Sequence, residues 1–137
     1  MKETNEFKAA VSEIPNITAF AERIMIHWHL DRSTAYDVLL AIDEACTNLS
    51  THAKTVSGEP VMITLKMRKC FGFLCIRIMD NSIYYDIEKA PQPDIQKNLS
   101  GEKEGGFGIF LIKTLMDRVK YKRTNHGNLL TMIRRVR

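Results

Sequence analysis

Ala41-Ile42-Asp43-Glu44-Ala45-Cys46-Thr47-Asn48, followed by His52-Ala53, sets a carboxylate and a carboxamide one helical turn apart in an otherwise apolar pattern. Such a pair can hold a cation and activate a hydroxyl. Around it Ala35, Val38, Leu39, Ile42, Cys46, Leu49 and Ala53 recur at the spacing of one helical stripe. They predict a long helix from about Ser33 to Lys54, capped by Asp31 or Ser33. Asp37, Ala41, Glu44, Asn48 and His52 fall on the other side in this reading. Taken alone, the helix favours a solvated polar face for Glu44 and Asn48. Motifs elsewhere in the chain decide between that and chemistry.

Upstream, Glu6 to Ile14 reads as a first strand ended by Pro15. Asn16 then caps a helix in which Ile17, Phe20, Ala21, Ile24 and Trp28 follow helical spacing to about Leu30. His27 and His29 flank Trp28 on that helix without metal-ligand spacing, so surface or core roles are expected of them. Downstream, Val61–Met67 and Phe73–Asp80 read as strands joined by a hairpin from Lys69 to Gly72. Residues 81–105 form a long polar connection, of a kind that is usually functional in a compact domain. Phe107 to Met116 returns to helix. Arg118 to Thr124 and Leu129 to Val136 make a second hairpin across Asn125-His126-Gly127-Asn128. Helices grouped between antiparallel hairpins predict a two-layer α/β sandwich, a mixed and mostly antiparallel sheet with helices on one face. Met62, Thr64, Lys66 and Arg68 look half-solvated, as the open face of such a sheet requires.

The 137 residues, with 45% hydrophobic content, predict a single domain over residues 1–137 with a real core. No run of eighteen apolar residues occurs, and Met1 to Glu6 is too polar for a signal peptide, so a soluble cytoplasmic protein without membrane contact is expected. Cys46, Cys70 and Cys75 show no Cys-x-x-Cys spacing and lie in apolar patterns, which argues against a zinc site or a disulfide framework. The net charge of +4 gathers toward the C-terminus, in Lys120, Lys122, Arg123, Arg134, Arg135 and Arg137. Alternation there fits a solvent-facing edge strand better than nucleic-acid binding, with an acidic protein partner as a second use.

Gly105-Gly106-Phe107-Gly108 ends the long connection and opens a helix. Glycines there let backbone N–H groups approach a ligand, and a helix N-terminus offers unsatisfied donors to phosphate. Asp80 closes the apolar strand Leu74-Cys75-Ile76-Arg77-Ile78-Met79-Asp80. A carboxylate in that place can accept a hydrogen bond from an exocyclic amine or simply begin the turn Asp80-Asn81-Ser82.

Glu44-x-x-x-Asn48, then Asp80, then Gly105-Gly106-x-Gly108 resemble in this order the N, G1 and G2 boxes of the histidine-kinase-like (GHKL) ATPases. Asp43 to Asn48 with His52-Ala53, and Gly106 to Ile112 with Leu115-Met116-Asp117, are similar to the small anti-sigma factor serine kinases of that superfamily, whose sandwich is of the Bergerat type. The resemblance implies ATP and magnesium as cofactors. It makes Glu44 the general base, Asn48 the magnesium ligand, Asp80 the adenine contact, and Gly105, Gly106 and Gly108 the phosphate wrap. It also implies a serine on a STAS-domain anti-anti-sigma protein as substrate, a sequestered sigma factor or similar target, and a homodimer.

Two features depart from the family. Ser82 and Tyr84 stand where the G1 box has glycines, although Tyr85-Asp86 matches the aromatic-acidic pair after it. Between Tyr85 and Glu104 there is no arginine, which leaves Lys103 as the best-placed cation for the γ-phosphate. The first departure motivates the alternative of a non-catalytic partner-switching module that binds nucleotide weakly or not at all.

Overall fold

In strand β2 (Met62–Cys70) Ile63, Leu65 and Met67 are fully buried while Lys66 and Arg68 are exposed, the period-two pattern of a strand with one face on a core. Strand β3 (Phe73–Asp80) repeats it with Leu74, Ile76 and Ile78. The computed structural model describes residues 1–83 and 108–136. The remaining strands are β1 (Lys2–Lys8), β4 (Arg118–Thr124) and β5 (Gly127–Arg135). They form one sheet in the order β1-β2-β3-β5-β4, with every neighbouring pair antiparallel. The inward residues of β2, β3 and β5 meet helices α1 (Ile14–His27), α2 (Arg32–His52) and α3 (Gly108–Leu115). Ile17, Met25, Ile42 and Ile112 from the helices share the core with Ile63, Leu65, Ile76 and Met132. This is the two-layer sandwich expected, with a wholly antiparallel sheet among the described residues.

The first strand is Lys2–Lys8, not Glu6 to Ile14, because its backbone pairs with β2 from Lys2↔Arg68 to Lys8↔Met62 and needs little burial of its own. Ile14 already belongs to α1, and Pro15 sits in the first turn, where a missing N–H costs nothing. Asn16 is therefore inside the helix, and its Nδ2 donates to Glu13 Oε2 at 3.0 Å. Ala41 is fully buried rather than on the polar side. Helix α2 packs against α1 and α3 as well as the sheet, so its buried arc widens to include the small residues Ala41 and Ala45. The second turn is shorter than Asn125 to Asn128: Gly127 and Asn128 are in β5, and Thr124 Oγ1 donates to Gly127 O at 3.2 Å.

Trp28, Phe20 and Met25 are core residues. Cys46 is buried, with its thiol pushed up to about 12 by burial and then by Asp43, whereas Cys70 is exposed at the end of β2 and is no core hydrophobe. His29 lies past α1, with φ of 58°. Leu30 N–H donates to Met25 O and His29 N–H to Ile26 O, both at 3.0 Å, a helix-ending motif that ordinarily uses glycine at this left-handed position. His29→Gly is expected to raise stability by about 1 kcal/mol, read from the urea midpoint.

Candidate functional site

Asp43, Glu44, Thr47 and Asn48 are half-buried on the side of α2 that the core does not take. Asp43 Oδ1 accepts from Thr47 Oγ1 at 3.1 Å, which holds that carboxylate along the helix. Glu44 has no hydrogen-bond partner among the described residues. Its pKa is raised from the ordinary 4.5, first by burial and then by the neighbouring Asp43 charge. Two adjacent carboxylates are thus differentiated: one is anchored, and the other is a better proton acceptor than an ordinary glutamate.

The C-terminal half of α2 faces the end of β3 across a narrow cleft. Asn48, Leu49 and His52 line it from the helix, Ile78 and Asp80 from β3, and Tyr121 and Leu130 from β4 and β5. The fold therefore brings Asn48 and Asp80 together. Glu44 lies one turn up α2 and is not part of the lining. Gly108 is the first residue of α3, whose Ile112 is buried in the core that α2 shares. Arg134 fixes the opposite end of α3 by donating to Leu115 O, and it pairs with Asp37 on α2 at 2.9 Å. Lys103, Gly105, Gly106 and Tyr84 lie outside the described residues.

Asp80 is held from behind by groups that the sequence reading did not assign. Ser82 N–H donates to its Oδ1 at 2.9 Å, Ser82 Oγ donates to the same oxygen, and Asn128 Nδ2 adds a third bond at 3.0 Å. Arg123 Nη1 donates to Ser82 O at 3.0 Å, and Ile83 N–H donates to Lys54 O at 2.7 Å, tying this turn to the segment after α2. All these bonds to the carboxylate go to Oδ1, so Oδ2 is left without a partner among the described residues, on a side chain that lines the cleft. Ser82 is 2% exposed and not at positive φ. Its side chain is therefore accommodated without left-handed backbone strain at this glycine position of the G1 box. Nothing local pointed to Asn128, because the sequence places it in a turn, where asparagine is common, and its role depends on the β3–β5 pairing.

Asp80 stands beside the apolar walls Leu49, Ile78 and Leu130, where a carboxylate oxygen can accept a hydrogen bond from an exocyclic amine. Asn48 supplies an oxygen donor of the hard kind magnesium takes. No group of three or more His, Cys, Asp or Glu converges among the described residues. No described helix is long and apolar enough to cross a membrane.

Residues 7–134 match the family model of the histidine kinase-like ATPase domain, and the chain belongs to that family. Within it the chain is similar to bacterial serine kinases. The serine/threonine-protein kinase BtrW of Bordetella bronchiseptica is 27% identical over 130 residues, covering 95% of this chain and 91% of that one. The serine-protein kinase RsbW of Halalkalibacterium halodurans is 33% identical over 100 residues, covering 70% and 59%. That of Bacillus cereus is 37% identical over 89 residues, covering 61% and 54%, so the match spans little more than half of these two RsbW relatives. Among solved structures, the RsbU and RsbW domains of a Mycobacterium tuberculosis protein superpose with a TM-score of 0.72 at 14% identity, covering 99% of this chain and 32% of that one. The histidine kinase domain of a blue-light activated kinase from Erythrobacter litoralis gives 0.52 at 19%, covering 74% and 44%. Both likenesses concern the fold.

Proposed function

We propose that this protein is an ATP-dependent serine kinase that phosphorylates a STAS-domain anti-anti-sigma protein and otherwise sequesters a sigma factor in the cytoplasm, working as a homodimer. The observation that carries the reading is that Asp80, whose Oδ2 has no partner among the described residues, lines one cleft with Asn48. Asp80 accepts the adenine amine, with Ser82 and Asn128 fixing its plane. Asn48 is the magnesium ligand. Magnesium bound with ATP supplies charge neutralisation at the phosphates. Gly105, Gly106 and Gly108 bring backbone N–H groups to those phosphates, and Lys103 provides the cation that an arginine supplies elsewhere.

Glu44 takes the proton of the substrate serine hydroxyl as it attacks. Its raised pKa suits that role, because a base is most effective when its pKa approaches the working pH. Transfer of labelled γ-phosphate to a STAS-domain partner, with magnesium present, tests the reading. Absence of transfer by the parent chain would remove the kinase assignment and leave the nucleotide-poor binding module.

Ser82 has a measurable part in this account. Ser82→Ala removes one of the bonds to Asp80 and one from Asn128, and is expected to weaken Mg-ATP about 3–10-fold while lowering stability by about 1–3 kcal/mol. Unchanged affinity in calorimetry would mean that Asp80 does not need this support.

A further inference from the structure

We propose that the open face of the sheet, on the side away from α1, α2 and α3, is a docking surface for an acidic amphipathic helix of a protein partner. The register fixes which side chains share this face. Lys66 on β2 stands beside Arg77 on β3, which stands beside Thr131 on β5 and Lys120 on β4. One residue pair further along, Arg68, Cys75, Ile133 and Arg118 line up in the same way. Toward the other end, Met79 and Leu129 lead to Lys122.

The face therefore has two cationic files, Lys66 and Arg68 on β2 and Arg118, Lys120 and Lys122 on β4, with Arg77 on β3 between them. Between the files the apolar pairs Cys75–Ile133 and Met79–Leu129 flank the polar pair Arg77–Thr131; the four apolar side chains are only half-buried and have no layer above them among the described residues. None of these cations has an ion-pair or hydrogen-bond partner among the described residues, and the one acidic side chain on this face is Glu6, out on β1. A net charge of only +4 thus conceals a strongly segregated distribution.

Geometry and chemistry together select the occupant. Strands β2 and β4 are three steps apart in the sheet, so the files are separated by about 14 Å at about 4.8 Å per strand. An α-helix with its side chains is about 10–12 Å across and fits between them. Apolar side chains inside a charged rim are the anatomy of a protein interface. A nucleic-acid backbone would leave the apolar pairs without a partner. A second copy of this chain docked face to face would set like charges opposite each other. The surface is on the opposite side of the sheet from the nucleotide cleft, so its occupancy does not require the kinase reading.

The probe is a synthetic amphipathic helix of about 20 residues with Leu and Ile on one face and Glu on both flanks, titrated into the isotopically labelled full chain without nucleotide. Saturable NMR shifts are expected at Arg77, Met79, Leu129 and Lys120 and not at Asn48 or Asp80. Binding should weaken with salt. Lys66→Glu with Lys120→Glu should weaken it about 5–10-fold while the unfolding midpoint holds, the range expected of two rim charges. No saturable binding, equal binding of a Lys-flanked version of the peptide, tighter binding of a 20-base-pair DNA duplex, or a dimer that dissociates in the double variant would each overturn the proposal.

Discussion

Glu44→Gln is expected to lower γ-phosphate transfer by about 10²–10⁴-fold, the range for loss of a positioned general base, while making the protein more stable at neutral pH. The second half follows from the same physics as the first. Burial and the Asp43 charge raise the folded-state pKa of Glu44 above the ordinary 4.5, so the fold prefers the protonated form. Stability from this group is fully present below the unfolded value, declines as pH rises, and is lost above the raised folded value. Glutamine keeps the shape without the charge. Its stabilising effect should therefore appear at pH 7, shrink as the pH falls, and vanish near pH 4. Wild-type transfer should fall as the pH drops through the raised pKa, with Mg-ATP affinity little changed. A variant that loses activity but gains no thermal stability at neutral pH would show that Glu44 is not strained by its surroundings in the way described. Unchanged transfer would remove it as the base.

Gly127→Ala is expected to destabilise the fold by about 2–4 kcal/mol, measured by urea denaturation, and to weaken nucleotide binding as well. Gly127 opens β5 at φ of 153°, beside the end of β3. A Cβ placed there would lie 1.7 Å from the Asp80 carbonyl oxygen and 2.8 Å from Asn81 Cα, both backbone atoms with no side-chain freedom to move aside. Relief requires the two strands to part where Asp80 pairs with Asn128. That is also where Asn128 Nδ2 reaches the Asp80 carboxylate, so the damage cannot stay local. A drop in stability with Mg-ATP affinity intact would separate the backbone contact from the site. A variant that folds as well as the parent would contradict the close approach itself.

How much of this was legible in the sequence depended on whether the signal was local. Strand β4 runs from Arg118 to Thr124 as the alternation of Val119 and Tyr121 with lysines indicates, because an edge strand takes its pattern from one face alone. Helix α2 emerged within about two residues at each end for the same reason of periodicity. Strand β1 did not. Its seven residues are mostly exposed, and only pairing with β2 makes them a strand, which no local pattern reports.

Asp80 and Asn48 could be nominated from their motifs, but their meeting across the cleft is a property of the register and of helix packing. Ser82 illustrates the limit most clearly. In the sequence it reads as a missing glycine and a threat to the pocket. In the fold its hydroxyl turns toward Asp80, joined there by Asn128, which is distant along the chain and adjacent across the β3–β5 pair. The residue that departs from the G1 box is part of what orients the Asp80 carboxylate.

The central claim is that the Asp80 cleft binds adenine nucleotide although Ser82 and Tyr84 stand in the glycine positions of the G1 box. Isothermal titration calorimetry of the full chain with Mg-ATP tests it most directly. A single site per chain of micromolar affinity, about −8 kcal/mol, is expected, lost in Asp80→Asn. Millimolar or absent binding by the parent protein, or undiminished binding by Asp80→Asn, would contradict it.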